Sequence, residues 1–238
     1  MLYFLIPIFN EDENLELLHR NLTNVLPESE KFFVFSDDGS VDNSIKTIQS
    51  LFTGSNKIIL GDGANHGPGN AFNVGFEWIL NHSKNKDDIV ITLEADNTSD
   101  ISILPTMVQI SSLGFELVLA SVYAQGGGFD KTSFFRKITS AIANMILRFF
   151  FNIKVLTISS FYRIYSIELL RRIKEKNTIM IKEKGFISMI EILIKAIRVK
   201  ATVIEVPMVL YSAKRKGKSK MKLIKTTMSY FRFLISNL

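Results

Sequence analysis

The 238-residue chain contains no cysteine, which excludes disulfides, thiolate nucleophiles and zinc–thiolate centres together. Histidine is nearly as scarce: His19, His66 and His82 are the only three, so few groups titrate near neutral pH without help from their surroundings. Chemistry here must rest mainly on carboxylates and on lysine and arginine. Long apolar runs are missing as well. The best candidate, Ile138 to Leu156, is interrupted by Asn144, Arg148, Asn152 and Lys154, leaving no stretch of about 18 apolar residues to cross a bilayer. The chain enters a strand-like run, Leu2-Tyr3-Phe4-Leu5-Ile6, with no basic stretch and no small-residue cleavage site before it, which predicts a cytoplasmic location. No G-x-x-x-x-G-K-[ST] occurs, and no G-x-G-x-x-G follows the first strand. NTPases of the P-loop type and the usual dinucleotide folds are thereby disfavoured. Gly61, Gly63, Gly67, Gly69 and Gly75 read instead as a turn with close helix packing.

Hydrophobic residues make up 47% of the chain and charged residues 22%, enough apolar material for one domain over 1–238 with a full core. A mean hydropathy of +0.18 is high for a freely soluble protein, so some apolar surface is expected to meet something other than water. The net charge of +6 conceals an asymmetry. Residues 1–130 carry 6 Lys and Arg against 18 Asp and Glu, a balance of −12, while 131–238 carry 23 against 5, a balance of +18. Clustering on solvated faces is one reading; an acidic half that binds cations beside a half that meets anions is the other.

Short β-branched and aromatic runs alternate with helical periodicity, the pattern of βαβ units and a mostly parallel sheet. Strands are predicted near 2–7, 31–36, 57–60, 88–93 and 116–121. Helices are predicted over Glu13 to Leu26, Asp42 to Phe52, Gly69 to Asn81 and Ile101 to Ser112, with Asp42 and Asp100 as N-caps. The second half reads as a helix at 133–150, a strand at 161–165, helices at 166–176 and 185–198, and a strand at 201–206. Ligands of such sheets gather beyond the carboxyl ends of the strands, and acidic residues follow three of the first four here.

Asp37-Asp38-Gly39-Ser40 suits a turn into a helix, and equally a carboxylate that accepts N–H or ribose O–H bonds at the sheet edge. Glu94-Ala95-Asp96 sets two carboxylates at i and i+2 just past an apolar strand, where they can share Mg²⁺ or Mn²⁺; a solvated acidic loop is the plain alternative. Lys214 to Lys220 places five cations around Gly217, fitting a solvated tail or a clamp for phosphate or a phospholipid headgroup. Nucleic acid is disfavoured, because no recognisable module is present and the phenylalanines are not interleaved with the basic run. Ile138 to Phe151 and Met221 to Leu238 mix Phe, Ile, Leu and Met with Lys and Arg, as interfacial helices do, although core helices with snorkelling cations have the same composition.

The ordered set of motifs resembles the family 2 glycosyltransferases of the GT-A fold, in particular the dolichol-phosphate mannosyltransferase and polyprenyl-phosphate glycosyltransferase branch. Pro7-Ile8-Phe9-Asn10-Glu11 resembles P-x-Y-N-E, Asp37 to Asp42 resembles D-D-G-S-x-D, and Asn65 to Gly75 resembles N-x-G-x-G-x-A-x-x-x-G. Glu94-Ala95-Asp96 stands at the D-x-D metal motif, Ser160-Phe161-Tyr162-Arg163 at S-G-F-R, and Arg215 to Lys220 at R-x-G-x-S-K.

The resemblance implies an α/β GT-A sheet flanked by helices, with a nucleotide-sugar and metal half at 1–130 and a basic acceptor half at 131–238. A GDP- or UDP-sugar would lie against Pro7, Phe9, Glu11, Ser36, Asp38, Gly67, Ala95 and Asp96, its diphosphate held through a cation at Glu94 and Asp96. Asp96, Arg163, Arg215 and Lys220 would serve transfer, with inversion, to a polyprenyl phosphate on the inner face of the membrane. A saccharide hydroxyl acceptor and a non-catalytic nucleotide-sugar-binding relative are the alternatives, and a homo-oligomer is admitted. The pattern is departed from at Glu94, Thr98, Thr157, Phe161 and Val122. The last stands where mannosyltransferases of this branch tend to carry an arginine, which weakens the case for mannose.

Overall fold

A computed structural model describes residues 1–54, 56–131, 134–217, 229–230 and 232–235, with backbone alone at 134–137 and 139. The chain runs through β1 (Leu2–Ile8), α1 (Asp12–Asn24), β2 (Lys31–Asp37), α2 (Ser44–Leu51), β3 (Lys57–Leu60), α3 (Pro68–His82) and β4 (Ile89–Thr92). There follow α4 (Leu104–Ser112), β5 (Leu117–Ser121), β6 (Gly128–Asp130), α5 (Phe134–Phe150), β7 (Arg163–Ser166), α6 (Ile167–Lys176), α7 (Ser188–Arg198), β8 (Val203–Pro207) and β9 (Val209–Tyr211).

Seven strands form one sheet in the order β3-β2-β1-β4-β7-β5-β8. Neighbours pair in parallel except β7, which is antiparallel to both β4 and β5. The apolar runs follow from burial on both faces, since a strand covered twice cannot alternate with polar residues. In β1, Tyr3 and Leu5 join the cluster that contains Phe72, Phe76 and Ile79 of α3. Phe4, Ile6 and Ile8 point the other way, into the cluster with Leu15, Leu18 and Leu22 of α1. β5 divides likewise, Leu117 and Leu119 on the first face and Val118 and Ala120 on the second. α3 rides close on β1 because Gly75 has no side chain: a Cβ there would lie 2.1 Å from Leu5 Cδ1.

The predicted elements are present with ends displaced by a few residues, and three features differ from expectation. The strand expected at 161–165 is β7, and it runs against its neighbours. A second sheet pairs β6 with β9 in parallel; each is three residues long, too short to show a period. α2 begins at Ser44 behind Asn43, and Asp42 sits one residue further out, its Oδ1 accepting the Ser44 N–H at 2.9 Å. Asp100 does cap, accepting the Ser102 N–H at 3.1 Å, but it opens a 3₁₀ turn ahead of α4.

Because β7 is reversed, its amino end lies at the edge where β1, β2, β4 and β5 terminate; Thr92 pairs with Arg163. Pro7 to Glu11, Asp37 to Asp42, Glu94 to Asp96 and Ser160 to Arg163 are thus brought to one side of the sheet. Behind that edge α7 carries a buried ion pair, Lys195 Nζ to Glu191 Oε1 at 2.6 Å. Lys195 also donates to the Ile179 and Met180 carbonyls, and Glu191 accepts the Lys182 and Glu183 N–H groups. The irregular segment 179–184 is thereby held mainly from α7, with Asn73 Oδ1 of α3 accepting the Ile181 N–H at 3.0 Å. Lys195→Met leaves the Glu191 charge buried without its partner and two carbonyls short of a donor; it should lower the unfolding free energy by about 3–5 kcal/mol in a urea titration.

Candidate active site

The loops after β1 and β2 are bound to each other by side chains that the turn chemistry of Asn, Asp and Ser favours. Asn10, at φ 53°, accepts the Val41 N–H on Oδ1 at 2.8 Å, and its own N–H donates to Ser40 Oγ at 2.9 Å. The Glu11 N–H donates to Ser44 Oγ at 2.8 Å. Asp37 is a turn residue, accepting the Gly39 and Ser40 N–H groups.

Asp38 is different. Its buried carboxylate accepts the His66 N–H at 2.7 Å and the Gly67 N–H at 2.8 and 3.0 Å, as well as Asn65 Nδ2 at 3.0 Å. Burial pushes its pKa up, and the His66 and Gly67 N–H bonds pull against that shift. Asp38 thus fixes the turn before α3, where Gly67 has φ 94°. The segment 179–184 presses on that turn from behind, with the Gly69 N–H donating to the Lys184 carbonyl at 2.9 Å. Pro7 and Ser36 are paired across β1 and β2 at the same edge. Phe9 and Glu11 are half-buried there.

Past β4, Leu93 and Ala95 turn into the core, leaving Glu94 and Asp96 close to one another. Glu94 Oε2 accepts Ser99 Oγ–H at 2.7 Å. Burial, then the nearby Asp96 charge, pushes the Glu94 carboxyl up; bonds from Ser99 and the Phe161 N–H act in the opposite sense. Asp96 Oδ1 accepts from Thr98 N and Oγ1 at 3.0 and 2.7 Å, and Oδ2 accepts Arg215 Nε at 2.7 Å and Nη2. Thr98 therefore holds Asp96 in place. Among the described residues no group of three or more His, Cys, Asp or Glu could hold a metal ion. Two adjacent carboxylates nevertheless fit Mg²⁺ or Mn²⁺, which bind through one or two carboxylates with substrate phosphates and water completing the shell.

Arg163 is placed otherwise than expected. Its guanidinium is fully buried and makes four bonds with its five N–H groups: to the Ser160, Ile158 and Met189 carbonyls and to Tyr165 Oη, at 2.7 to 3.2 Å. In this structure it holds the 158–160 turn against α7 and presents no exposed face to an acceptor, which corrects the expectation of direct contact. Thr157 Oγ1 shares a 2.7 Å hydrogen bond with Ser121 Oγ, and Glu205 accepts the Leu156 and Thr157 N–H groups at 2.7 and 2.8 Å. Arg215 lies on Asp96, bringing the basic run to the acidic pair. Lys220 falls outside the described residues. Sequence reasoning did not single out Asn14, Asn97 or Ser99; the polar residues at 97 and 99 beside the acidic pair were the available signal, whereas Asn14 had none.

An open, mostly parallel sheet with one reversed strand, acidic strand ends and an anchored glycine turn is the architecture of the GT-A glycosyltransferase fold. The chain belongs to glycosyl transferase family 2, whose profile matches residues 3–174. It is 26% identical over 219 residues to the polyprenol monophosphomannose synthase of Mycolicibacterium smegmatis, covering 91% of this chain and 79% of that one. The dolichol-phosphate mannosyltransferase of Pyrococcus furiosus is 28% identical over 234 residues, 97% of this chain and 61% of that protein. Among solved structures, glucosyl-3-phosphoglycerate synthase from Mycobacterium tuberculosis, in complex with Mn²⁺, UDP and glucosyl-3-phosphoglycerate, superposes with a TM-score of 0.66. The match has 15% identity and covers 99% of this chain and 77% of that one, a likeness of fold.

With the Glu94 pKa raised in the folded chain, this group favours folding at low pH, and that contribution is lost as pH rises through the folded-state value. Glu94→Gln removes the loss. The metal-free variant should melt above the wild type at about pH 8 and converge with it near about pH 4, as read by thermal unfolding across pH.

Proposed function

We propose that the chain transfers a glycosyl group from a nucleotide-diphospho-sugar to a polyprenyl phosphate, inverting the anomeric carbon, at the cytoplasmic face of a membrane. The observation that carries this reading is Arg215 lying on Asp96, which joins a cationic segment able to hold an acceptor phosphate to the acidic pair assigned to the donor. The names of the relatives support the same acceptor class.

Pro7, Phe9, Glu11, Ser36 and Ala95 are assigned to the donor, with GDP and UDP both open, and Asp38 acts through the turn at Gly67. Mg²⁺ or Mn²⁺ on Glu94 and Asp96 would offset charge developing on the departing diphosphate. An acceptor phosphate oxygen forms the new bond to the anomeric carbon as the bond to the diphosphate breaks, its electron pair staying on the nucleotide. That nucleophile is already an anion, so no general base is required. A hydroxyl acceptor would need one, and the basic half is poorly supplied: Glu191 is bonded within the core, Glu205 braces backbone, and Glu168 pairs with Arg171. Arg215 and Lys220 are assigned to the acceptor phosphate, with Arg163 supporting the adjoining turn.

Approach to the lipid is assigned to α5. Ile138, Ile142, Met145 and Phe149 follow the i, i+4, i+7, i+11 spacing of one helical face and are 40 to 82% exposed. Among the described residues no helix is long and apolar enough to cross a membrane. A helix lying in the interface of an anionic bilayer fits this face and the surplus of cations in 131–238.

Two measurements test the assignment. Asp96→Ala should abolish Mn²⁺-dependent binding of the UDP- or GDP-sugar that the wild type binds, read by titration calorimetry. The wild type with that donor should glycosylate a polyprenyl phosphate and leave free sugars untouched; the reverse preference overturns the acceptor class, and intact donor with every acceptor overturns catalysis. Separately, Ile142→Glu with Phe149→Glu should weaken sedimentation with anionic vesicles lacking polyprenyl phosphate by about tenfold or more.

A further inference from the structure

Glu11, Asn97 and Lys216 come from three distant segments and meet around a residue that no motif marks. Asn14 lies in the first turn of α1 and is 3% exposed. Its Nδ2 donates to Glu11 Oε2 at 2.7 Å and to the Lys216 carbonyl at 3.2 Å. Its Oδ1 accepts the Lys216 N–H at 2.9 Å, and its main-chain carbonyl accepts Asn97 Nδ2 at 2.9 Å. The side-chain amide thus pairs with a backbone amide at two points, as one strand pairs with another. An apolar side chain could fill this space and satisfy none of these groups. An aspartate of the same shape would offer acceptors only, facing the Glu11 carboxylate and the Lys216 carbonyl.

The paired backbone belongs to a strap, residues 212–217, that reaches Asp96 of the acidic pair through Arg215. Its near end is fixed where the Tyr211 N–H donates to the Thr98 carbonyl at 2.8 Å. Lys214 rests over the Tyr211 ring, 4.1 Å from its centroid. Arg215 reaches Asp96, and the next residue is the one held by Asn14.

We propose that Asn14 is a positioning residue: it clasps the basic strap to α1 and thereby sets Arg215 over Asp96, in register with the Glu11 and Asn97 loops of the donor edge. The effect on acceptor use rests on the polyprenyl-phosphate reading; the clasp itself does not.

Wild type, Asn14→Ala and Asn14→Asp are digested with limiting trypsin without substrates, and cleavage after Lys214 is followed by mass spectrometry. Release of the strap should speed that cut about tenfold, the equivalent of one or two lost buried hydrogen bonds. With donor, Mn²⁺ and a short-chain polyprenyl phosphate in detergent, the KM for the acceptor should rise by about tenfold with kcat changed far less, since a loosened strap weakens capture. Lys216→Pro removes the shorter of the two bonds, the Lys216 N–H to Asn14 Oδ1, without touching α1, and Arg215, at φ −66° and ψ 126°, already has the extended backbone a residue before proline requires. It should speed the cut after Lys214 likewise, and it decides the matter should the Asn14 variants fail to fold. Cleavage at the wild-type rate in the folded variants overturns the clasp, as does a faster cut in the Asn14 variants that Lys216→Pro does not reproduce. A faster cut with an unchanged acceptor KM overturns the link to acceptor capture. Absence of any transfer to lipid phosphate counts against the proposed function, and the digestion still tests the clasp.

Discussion

Asp38, Glu94 and Asp96 bring three carboxylates to the carboxyl edge of one sheet, and the surrounding chain is arranged to hold that charge away from bulk water. Each is held by different means. Asp38 takes backbone N–H groups from a glycine turn, Asp96 takes a threonine and a guanidinium, and Glu94 takes one serine, its own N–H and that of Phe161, with burial still holding its carboxyl up. A carboxylate left short of partners in such surroundings favours protonation or a cation. The deficit is therefore built into the edge before any ligand arrives; the basic strap answers it at Asp96, and on the proposed function a divalent ion would be a second answer.

The supports of this edge reach well behind it. Asp38 depends on the turn at 65–67, that turn is backed by the Lys184 carbonyl, and the segment carrying Lys184 is satisfied by the Glu191–Lys195 pair. Arg163 does the same for the 158–160 turn, spending its charge on carbonyls. Both are cases in which an ionic group acts through hydrogen bonds to backbone that has no regular partner, which is what an irregular loop beside a buried site requires.

Much of this was legible in the sequence. The parallel strands stood out because strands buried on both faces are apolar without interruption, as Leu2 to Ile6 and Leu117 to Ala120 are. The acidic strand ends stood out because sheets of this class bind ligands there. Strand direction did not: nothing in Arg163 to Ser166 distinguishes a reversed strand from a parallel one, since pairing partners alone decide it. Arg163 itself was misread for a physical reason. Its expected role came with the resemblance to S-G-F-R, yet a planar donor set suited to an anion serves equally well to gather carbonyls in the interior. Asn14 was invisible because a single amide in a helical pattern carries no period; its meaning appears only when Lys216, two hundred residues on, is brought against it.

The reversed strand also bears on how this chain can be recombined. β7 comes from the basic half, yet it is inserted between β4 and β5, which both come from the acidic half. The two charge-biased halves are therefore interleaved through the middle of one sheet. A chimera that exchanged 131–238 for the equivalent stretch of another transferase would exchange a central strand and both its ladders along with the basic strap. Grafts confined to the α5 surface or to 212–217 leave those ladders untouched, so on the proposed function new acceptors are more readily acquired there than by shuffling halves.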